Sequence, residues 1–148
     1  MFRKRFVIHE HHATRLHWDL RLEMEGAFKS WAVPKGPSLN PDDKRLAVEV
    51  GDHELKYGDF EGRIAEGNYG AGDVRIWDNG KYETLLDPLR QMEKGKIAFT
   101  FFGLRLRGEF VLTRIHRDPK NWLLIKVNDH FADPDWVIET ILPRKKDR

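Results

Sequence analysis

The sequence contains no cysteine, which excludes disulfide bonds and thiolate metal ligands. It also lacks any run close to the roughly 18 apolar residues of a membrane-spanning helix, and no apolar stretch typical of a signal peptide follows its first basic residues. An excess of one charge is missing too, because 26 Lys and Arg stand against 24 Asp and Glu. The basic residues near both ends, within 3–5 and 144–148, predict solvated tails. We therefore expect a cytoplasmic protein without a membrane partner, and the net charge of +2 gives little sign of nucleic-acid binding.

Long helical patterns are scarce, and short apolar or alternating runs recur between turns that contain Gly, Pro and Asn. The runs span residues 6–8, 16–24, 28–33, 46–50, 74–77, 82–85, 97–102, 110–115 and 122–127. Many short strands with such punctuation are typical of an antiparallel sandwich or barrel. We expect an all-β, mainly antiparallel fold with little helix, and residues 1–148 forming a single domain.

Three local patterns predict individual turns and a helix. Asn79-Gly80 lies between two apolar runs and predicts a two-residue hairpin turn. Pro88–Gly95 predicts the one longer helix, with Asp87 as its cap, a proline in its first turn and a glycine at its end. Glu66–Gly72 is rich in glycine but lacks the Gly-Lys-Ser/Thr ending of a phosphate-binding loop, so it predicts a turn between strands.

The stretch His9–Glu23, with the sequence HEHHATRLHWDLRLE, alternates with a period of two from Leu16 onward. Successive side chains of a strand point to opposite faces, so this alternation predicts a half-buried strand. One face carries Leu16, Trp18, Leu20, Leu22 and Met24, and the other carries His17, Asp19, Arg21 and Glu23. An imidazole, a carboxylate and a guanidinium in consecutive positions of one face are typical of metal and phosphate binding.

His11, His17 and Asp19 form the spacing H-x5-H-x-D. Imidazole nitrogens with a carboxylate oxygen suit Mn, Fe, Co or Zn, and three protein ligands leave coordination positions open, as in catalytic sites. Four of the seven histidines lie between positions 9 and 17, so a scatter of unconnected surface histidines is the weaker interpretation. We expect His9 to lie behind the ligands and His12 to be exposed to solvent.

Several other polar residues stand out, although each is a weak signal when it is taken alone. They are Arg21, Lys35, Arg45, His53 and Tyr57. Arg21 continues the ligand face, where a guanidinium can hold two phosphate oxygens, although a salt bridge to a neighbouring carboxylate explains it equally well. Lys35 lies in the rigid loop WAVPKGP, and Arg45 opens an apolar run that His53 and Tyr57 follow.

Four ordered segments of the sequence resemble one known family. They read FVIHEHHATRLHWDLRLEMEG, SWAVPKGPS, KRLAVEVGDHELKYGDFEG and EGNYGAGDVRIWDNG. Together with the later GLRLRGEFVLTRI and NWLLIKVNDHFADP, they resemble the 3'-phosphoesterase domain of bacterial DNA ligase D and its stand-alone relatives. The resemblance extends over nearly the whole chain, and its motifs are several and in order.

This resemblance implies a compact antiparallel β-barrel with short flanking helices and an active site in a groove on its outer surface. It implies a manganese-dependent enzyme, whose site Co2+ or Zn2+ can also occupy, that acts on DNA 3' ends during non-homologous end joining. The family removes a 3'-terminal ribonucleoside and then hydrolyses the remaining 3'-phosphate. Whether water or a ribose 2'-hydroxyl attacks phosphorus stays open.

The resemblance also assigns roles to residues. The metal-binding positions of the family fall on His11, His17 and Asp19. Its active-site residues and its phosphate-binding residues fall on Arg21, Lys35, Arg45, His53 and Tyr57. It implies that Arg21, His53 and Tyr57 act in catalysis and that all five contact phosphate.

Two departures from the family, and two alternatives, bear on these expectations. His9 stands where the family often has Gln, and an Arg-, Asp- and Glu-containing segment usually precedes the first strand, so we expect phosphate removal to be the weaker activity.

We expect a monomer that works with separate ligase and polymerase proteins on primer–template or break ends. The alternatives are a cupin-like oxygenase or isomerase, and a non-catalytic single-strand module that stacks bases on Trp31, Trp77 or Tyr69.

Overall fold

The computed structural model describes residues 1–144, and antiparallel strands form most of it. The strands are β1 (Phe2–His12), β2 (Leu16–Met24), β3 (Ala27–Val33), β4 (Arg45–Glu54), β5 (Gly62–Ile64), β6 (Gly72–Thr84), β7 (Lys96–Phe102), β8 (Arg107–Arg114) and β9 (Asn121–Lys126). In the order β1-β2-β3-β4-β9-β8-β7-β6 each strand pairs with the next, and β6 pairs back with β1. This ring is a closed eight-stranded barrel, and β5 pairs with the start of β6 outside it. The predicted antiparallel all-β barrel is confirmed.

Helix is limited to two short segments in residues 1–144. The α-helix α1 (Pro88–Glu93) begins where predicted, because the side chain of Asp87 accepts a hydrogen bond from the backbone N–H of Leu89 at 3.0 Å. Gly95 follows it with φ of +87°, a conformation that favours glycine after a helix. A 3-10 helix, Leu55–Asp59, follows β4. No helix in the described part of the chain is long and apolar enough to cross a membrane.

The barrel interior is filled by large apolar side chains. The apolar face of β2 points into it, and Trp18, Leu20 and Leu22 are buried there, as the alternation predicts. The rings of Trp31 and Trp122 meet edge to face with centroids 5.7 Å apart. Each large apolar side chain buried in this way stabilises the fold by about 1.5–3 kcal/mol. The polar face of β2 must therefore lie on the outside of the barrel.

The hairpin predicted at Asn79-Gly80 is wrong, because both residues lie inside β6 and pair with β1. The buried carboxylate of Asp78, just before the expected turn, accepts hydrogen bonds from the backbone N–H groups of Leu104 and Leu106. Asp78 therefore stabilises the turn between β7 and β8 and does not begin a turn of its own. A side chain at Gly80 would collide with the carbonyl oxygen of Phe102, which explains glycine there without a turn. The apolar run 74–77 and residues 82–84 of the next run are thus two parts of one strand.

A two-residue hairpin does occur between β2 and β3, at Glu25-Gly26. Both residues have positive φ, +52° and +81°, as the turn that matches strand twist requires. The predicted solvated N-terminal tail is also wrong, because residues 3–5 belong to β1, where Arg3 pairs with Glu83 at 2.7 Å. In the predicted C-terminal tail, Lys145, Lys146 and Arg148 lie outside the described residues.

The buried carboxylate of Glu10 holds the C-terminal segment against the barrel. It accepts hydrogen bonds from the backbone N–H groups of Ile141, at 2.8 Å, and Leu142, at 2.9 Å. The Nε2 atom of His12 lies 2.8 Å from the same carboxylate, and His12 is buried, so the prediction that His12 is exposed to solvent is wrong. The interaction links β1 to a segment more than 120 positions away in the sequence.

Glu10→Ala is expected to lower the free energy of unfolding by about 3–5 kcal/mol, because it leaves buried N–H donors without their acceptor. Glu10→Gln keeps one acceptor oxygen and should lose about half as much. Urea denaturation measures both values. Glu139→Ala is the matched control, since this glutamate lies in the same segment with an exposed side chain. A Glu10→Ala protein as stable as the control would contradict this account of the segment.

Candidate active site

The polar face of β2 and the adjoining face of β1 form one surface on the outside of the barrel. His11 of β1 is the cross-strand partner of His17 in β2, and His9 is the partner of Asp19. Cross-strand partners of an antiparallel pair point to the same side of the sheet, so the register brings all four side chains together. Arg21 lies two residues further along β2 on this side.

The predicted ligands converge in space. The ligand atoms of His11, His17 and Asp19 all lie within 4.8 Å of one another. Nδ1 of His11 is 3.3 Å from one carboxylate oxygen of Asp19, and Nε2 of His17 is 3.2 Å from the other. Two imidazole nitrogens and a carboxylate are a donor set that suits first-row transition metals such as Mn and Zn.

Hydrogen bonds to backbone carbonyls fix the orientation of both imidazoles. Nε2 of His11 donates to the carbonyl oxygen of Gly70 at 2.6 Å, and Nδ1 of His17 donates to that of Arg15 at 3.1 Å. The opposite ring nitrogens are therefore left facing the carboxylate of Asp19. Two nitrogen lone pairs and a carboxylate that face one another require a cation or a proton between them, so these residues fit a metal ion.

The charges of this cluster shift its pKa values in opposite directions. Burial alone would raise the pKa of Asp19, but hydrogen bonds with His11 and His17, in which a proton takes the place of the ion, outweigh burial and hold this pKa well below its usual range. Burial opposes protonation of His17 as well, yet the hydrogen bond and charge of Asp19 raise the pKa of His17. Asp19 is thus an anion at every pH of interest and attracts a positive partner.

Arg21 is a buried cation fixed by neutral partners. Its Nε donates to Nδ1 of His9 at 3.0 Å and its Nη1 donates to Oγ of Ser30 at 2.9 Å. Its Nη2 lies 3.6 Å from the carboxylate of Asp19, and its guanidinium lies 4.9 Å from the ring centre of Tyr57. Burial lowers the pKa of Arg21, although an arginine stays charged in proteins. The salt-bridge and phosphate interpretations are thus compatible, because the pair with Asp19 is long and leaves Nη2 beside the pocket.

His9 lies behind Arg21, whereas we expected it behind the metal ligands, and its side-chain hydrogen bonds join it to Arg21 and Phe60. It is fully buried, and its Nε2 donates to the carbonyl oxygen of Phe60 at 3.0 Å while its Nδ1 accepts from Arg21. Burial and the charge of Arg21 lower its pKa to about 4. A neutral ring is the form that these partners require, because a proton on Nδ1 would point at the guanidinium.

His53 and Tyr57 line the pocket, and the ring of Tyr57 lies beside Arg21. His53 lies near the end of β4 and Tyr57 in the 3-10 helix, and their rings stack with centroids 4.5 Å apart. Burial and the charge of Arg21 lower the pKa of His53, so its imidazole is neutral at pH 7. Burial raises the pKa of Tyr57, so its hydroxyl keeps its proton. Both side chains can donate a hydrogen bond to an anion in the pocket.

These residues line one pocket of about 890 Å3, a size typical of ligand sites. Its lining includes His11, His17, Asp19, Arg21, His53 and Tyr57. Lys35 and Arg45 do not line it. Arg45 lies two residues before Ala47, whose side chain packs in the core, so it shares the inner face of β4 and contacts Asp43 at 3.4 Å. Lys35 is exposed in the loop after β3, and phosphate binding by these two residues stays a prediction.

Sequence reasoning missed two parts of the pocket. Arg15, in the turn between the two histidine ligands, is exposed on its rim. Residues 65–71, between β5 and β6, form a wall, and this segment is a turn between strands as predicted. The spacing H-x5-H could have pointed to Arg15, because a residue in the short turn between two metal ligands lies close to the site. No local signal connects Gly70 to His11, which lies 59 positions earlier.

The pH dependence of stability tests the environment of His9. The folded protein binds a proton at His9 only near pH 4, whereas the unfolded chain binds it below about pH 6.5. Acid therefore favours the unfolded state, and about 3 kcal/mol of the free energy of unfolding is lost between pH 6.5 and pH 4 through this residue. His9→Gln keeps one donor and one acceptor but cannot titrate, so it should lose less stability over this range. His116→Gln, at an exposed histidine, is the control, and equal pH slopes for all three proteins would contradict the prediction.

Comparison with known proteins gives the family of this chain. Residues 9–114 match the family described as the DNA ligase D 3'-phosphoesterase domain, and these residues include the pocket. The chain is 46% identical over 155 aligned residues to the multifunctional non-homologous end joining protein LigD of Pseudomonas aeruginosa, covering 95% of this chain and 18% of that protein. The corresponding protein of Mycolicibacterium smegmatis is 44% identical, covering 84% of this chain and 17% of that protein.

The LigD of Mycobacterium tuberculosis is 45% identical over 141 residues, covering 93% of this chain and 18% of that protein. The chain thus spans less than a fifth of the length of these relatives, and the similarity concerns one of their parts. That part coincides with the barrel and with the outward-facing cluster of two histidines, an aspartate and an arginine. The protein belongs to the DNA ligase D 3'-phosphoesterase domain family.

Proposed function

We propose that this protein is a manganese-dependent phosphoesterase that heals DNA 3' ends. It removes a 3'-terminal ribonucleoside and hydrolyses the remaining 3'-phosphate, the second step being the weaker. The observation that carries the proposal is the convergence of His11, His17 and Asp19 beside Arg21 in one pocket of a phosphoesterase family member. A metal site next to a fixed cation is the arrangement that phosphate chemistry requires.

In this proposal His11, His17 and Asp19 hold the metal ion through Nδ1, Nε2 and the carboxylate. A bound Mn2+ supplies Lewis-acid chemistry and neutralises charge on the phosphate oxygens. The donor set also admits Co2+ or Zn2+. The carbonyl oxygens of Gly70 and Arg15 keep both imidazoles in the tautomer that presents a lone pair to the ion.

Arg21 holds a non-bridging phosphate oxygen. His9 and Ser30 already bind two of its nitrogens, so the guanidinium needs no reorganisation when substrate arrives. Arg21 lines the pocket and its Nη2 has only a long contact of 3.6 Å with Asp19, so this nitrogen is the one proposed to donate to the phosphate. A cation that is fixed before the reaction stabilises the developing negative charge better than a mobile one.

His53 and Tyr57 act on the phosphate from the part of the pocket next to Arg21. The neutral imidazole of His53 donates one N–H to a phosphate oxygen or to the leaving oxygen, whose negative charge grows as its bond to phosphorus breaks. The charge of a bound phosphate opposes the effect of Arg21 and makes protonation of His53 easier. Tyr57 orients this ring by stacking and donates its hydroxyl proton in a hydrogen bond.

The substrate is a DNA primer strand that ends in a ribonucleotide or a 3'-phosphate. The names of the relatives place them in non-homologous end joining, which supports a DNA end as the substrate here. We propose that separate ligase and polymerase proteins act on the ends that this protein prepares. Lys35 and Arg45 lie away from the pocket, so any contact that they make is with more distant phosphates of the strand.

The position of the ligands argues against a cupin-like site. Cupins bind their metal inside the barrel, whereas here Trp18 and Leu20 fill that space and the ligands lie outside. For a module that only stacks bases, Trp31 and Trp77 are excluded because both rings are buried, and Tyr69 alone of the three candidates is exposed. Neither alternative gives a reason for the metal-ligand geometry beside Arg21.

Metal binding and turnover should disappear together when a ligand is lost. Asp19→Asn and His17→Ala are expected to weaken Mn2+ binding on the order of 100-fold or more, as measured by calorimetry. The loss of a direct metal ligand weakens binding more than the loss of a residue that only hydrogen-bonds to a ligand. Cleavage of a primer–template duplex with a single 3'-terminal ribonucleotide should fall on the order of a thousandfold. Product analysis on sequencing gels separates 3'-phosphate ends from 3'-hydroxyl ends.

Two matched variants serve as controls. Asp135→Asn and His116→Ala alter an exposed carboxylate and an exposed imidazole outside the pocket, and both should bind Mn2+ and cleave as the unaltered protein does. Chelation by EDTA should stop cleavage and added Mn2+ should restore it. Full activity of Asp19→Asn in Mn2+ would refute this site as the catalytic centre.

A further inference from the structure

Tyr69 has the most exposed large hydrophobic side chain in residues 1–144. Its ring is 99% exposed, although it lies on the wall of the pocket. Trp31 and Trp77, the other two rings that the sequence offered as stacking surfaces, are buried at 0% and 3%. An exposed ring gains almost nothing from packing within its own chain, whereas its place on the wall of the pocket suits contact with a ligand.

The backbone on both sides of Tyr69 is fixed relative to the metal ligands. The carbonyl oxygen of Gly70 accepts the 2.6 Å hydrogen bond from His11, and the N–H of Ala71 donates to the carbonyl oxygen of Asn68 at 3.2 Å. The N–H of Asn68 donates in turn to Ala65, also at 3.2 Å. The ring is therefore free of contacts while its Cα is held at a set place beside the active site.

The strands and the loop that line the pocket differ in charge. On the strands, Arg21 and a metal ion held by His11, His17 and Asp19 would attract phosphate. In residues 65–71 the single charged side chain is the carboxylate of Glu66, which repels phosphate. The wall that carries Tyr69 therefore suits a neutral planar group, and the nucleobase is the neutral planar group of a nucleic acid.

We propose that the ring of Tyr69 stacks on the base of the 3'-terminal nucleotide and positions the strand end in the pocket. This inference rests on the proposed function, because it assumes a nucleic-acid 3' end in the site. The terminal base is the one to stack, since it has a single stacking neighbour in the duplex and unpairs at the lowest energy. Stacking is tolerant of sequence, because every base has a π-face. Tyr69 is thus a positioning residue and takes no part in the bond cleavage.

The test measures binding in EDTA, so that no cleavage interferes. Fluorescence anisotropy compares two labelled primer–template duplexes, one with an unpaired 3'-terminal ribonucleotide and one whose terminal ribose lacks a base. Tyr69→Ala should weaken binding of the first about tenfold and of the second by no more than about twofold. Tyr69→Phe, which keeps the π-face, should bind both as the unaltered protein does. Leu104→Ala, at another exposed large side chain outside the pocket, is the matched control.

Each outcome decides the inference. Stronger weakening on the base-bearing duplex, together with rescue by Tyr69→Phe, supports stacking. No change for Tyr69→Ala, or equal weakening on both duplexes, overturns it. A different result would refute the proposed function, namely the absence of Mn2+-dependent cleavage by the unaltered protein. In that case the comparison of binding to the two duplexes still decides the role of Tyr69.

Discussion

The site is organised around a carboxylate that is almost removed from water. Asp19 is 6% exposed and keeps its negative charge, so its surroundings must supply positive charge. An unpaired buried charge is destabilising by several kcal/mol, and here two imidazoles and a guanidinium surround it within 3.6 Å. The requirement to neutralise Asp19 therefore places His11, His17 and Arg21 together, and it makes the same position attractive to a metal ion.

Neutral groups around this cluster are as important as the charged ones. Arg21 is fixed by His9 and by Ser30, which accept hydrogen bonds without cancelling its charge. Burial lowers the pKa of His9, and the charge of Arg21 lowers it further, because a second cation beside the guanidinium would be repelled. The carbonyl of Gly70 serves His11 in a similar way. The charges of the cluster stay available to a ligand because the partners that define its geometry are polar but uncharged.

The local alternation of β2 was sufficient to predict the ligand face, since a period of two separates the core from the outside without knowledge of other strands. The same reasoning failed at Asn79-Gly80, where a good turn sequence lies in a strand that β1 and the neighbouring Phe102 hold extended. It failed also for His12, whose burial depends on Glu10 and on a C-terminal segment far away in the sequence. Arg45 shows the remaining difficulty, because its place relative to the pocket depends on which face of β4 it occupies, and the core-facing Ala47 decides that.

The sequence predicted the metal ligands better than the pocket walls because the ligands lie on strands and the walls lie on loops. Its ligands lie on β1 and β2, whose register is fixed by seven consecutive cross-strand pairs and by the core beneath them. Its outer walls lie on residues 51–57 and 65–71, which touch the cluster through the ring of Tyr57 beside Arg21 and through the hydrogen bond from His11 to Gly70. A change in the strands alters the geometry of the reacting centre, because the ligands share one backbone ladder. A change in the loops leaves the pairing of β1 with β2 intact and alters the part of the ligand that the pocket walls contact. The barrel thereby separates the residues that set the chemistry from those that select the strand end.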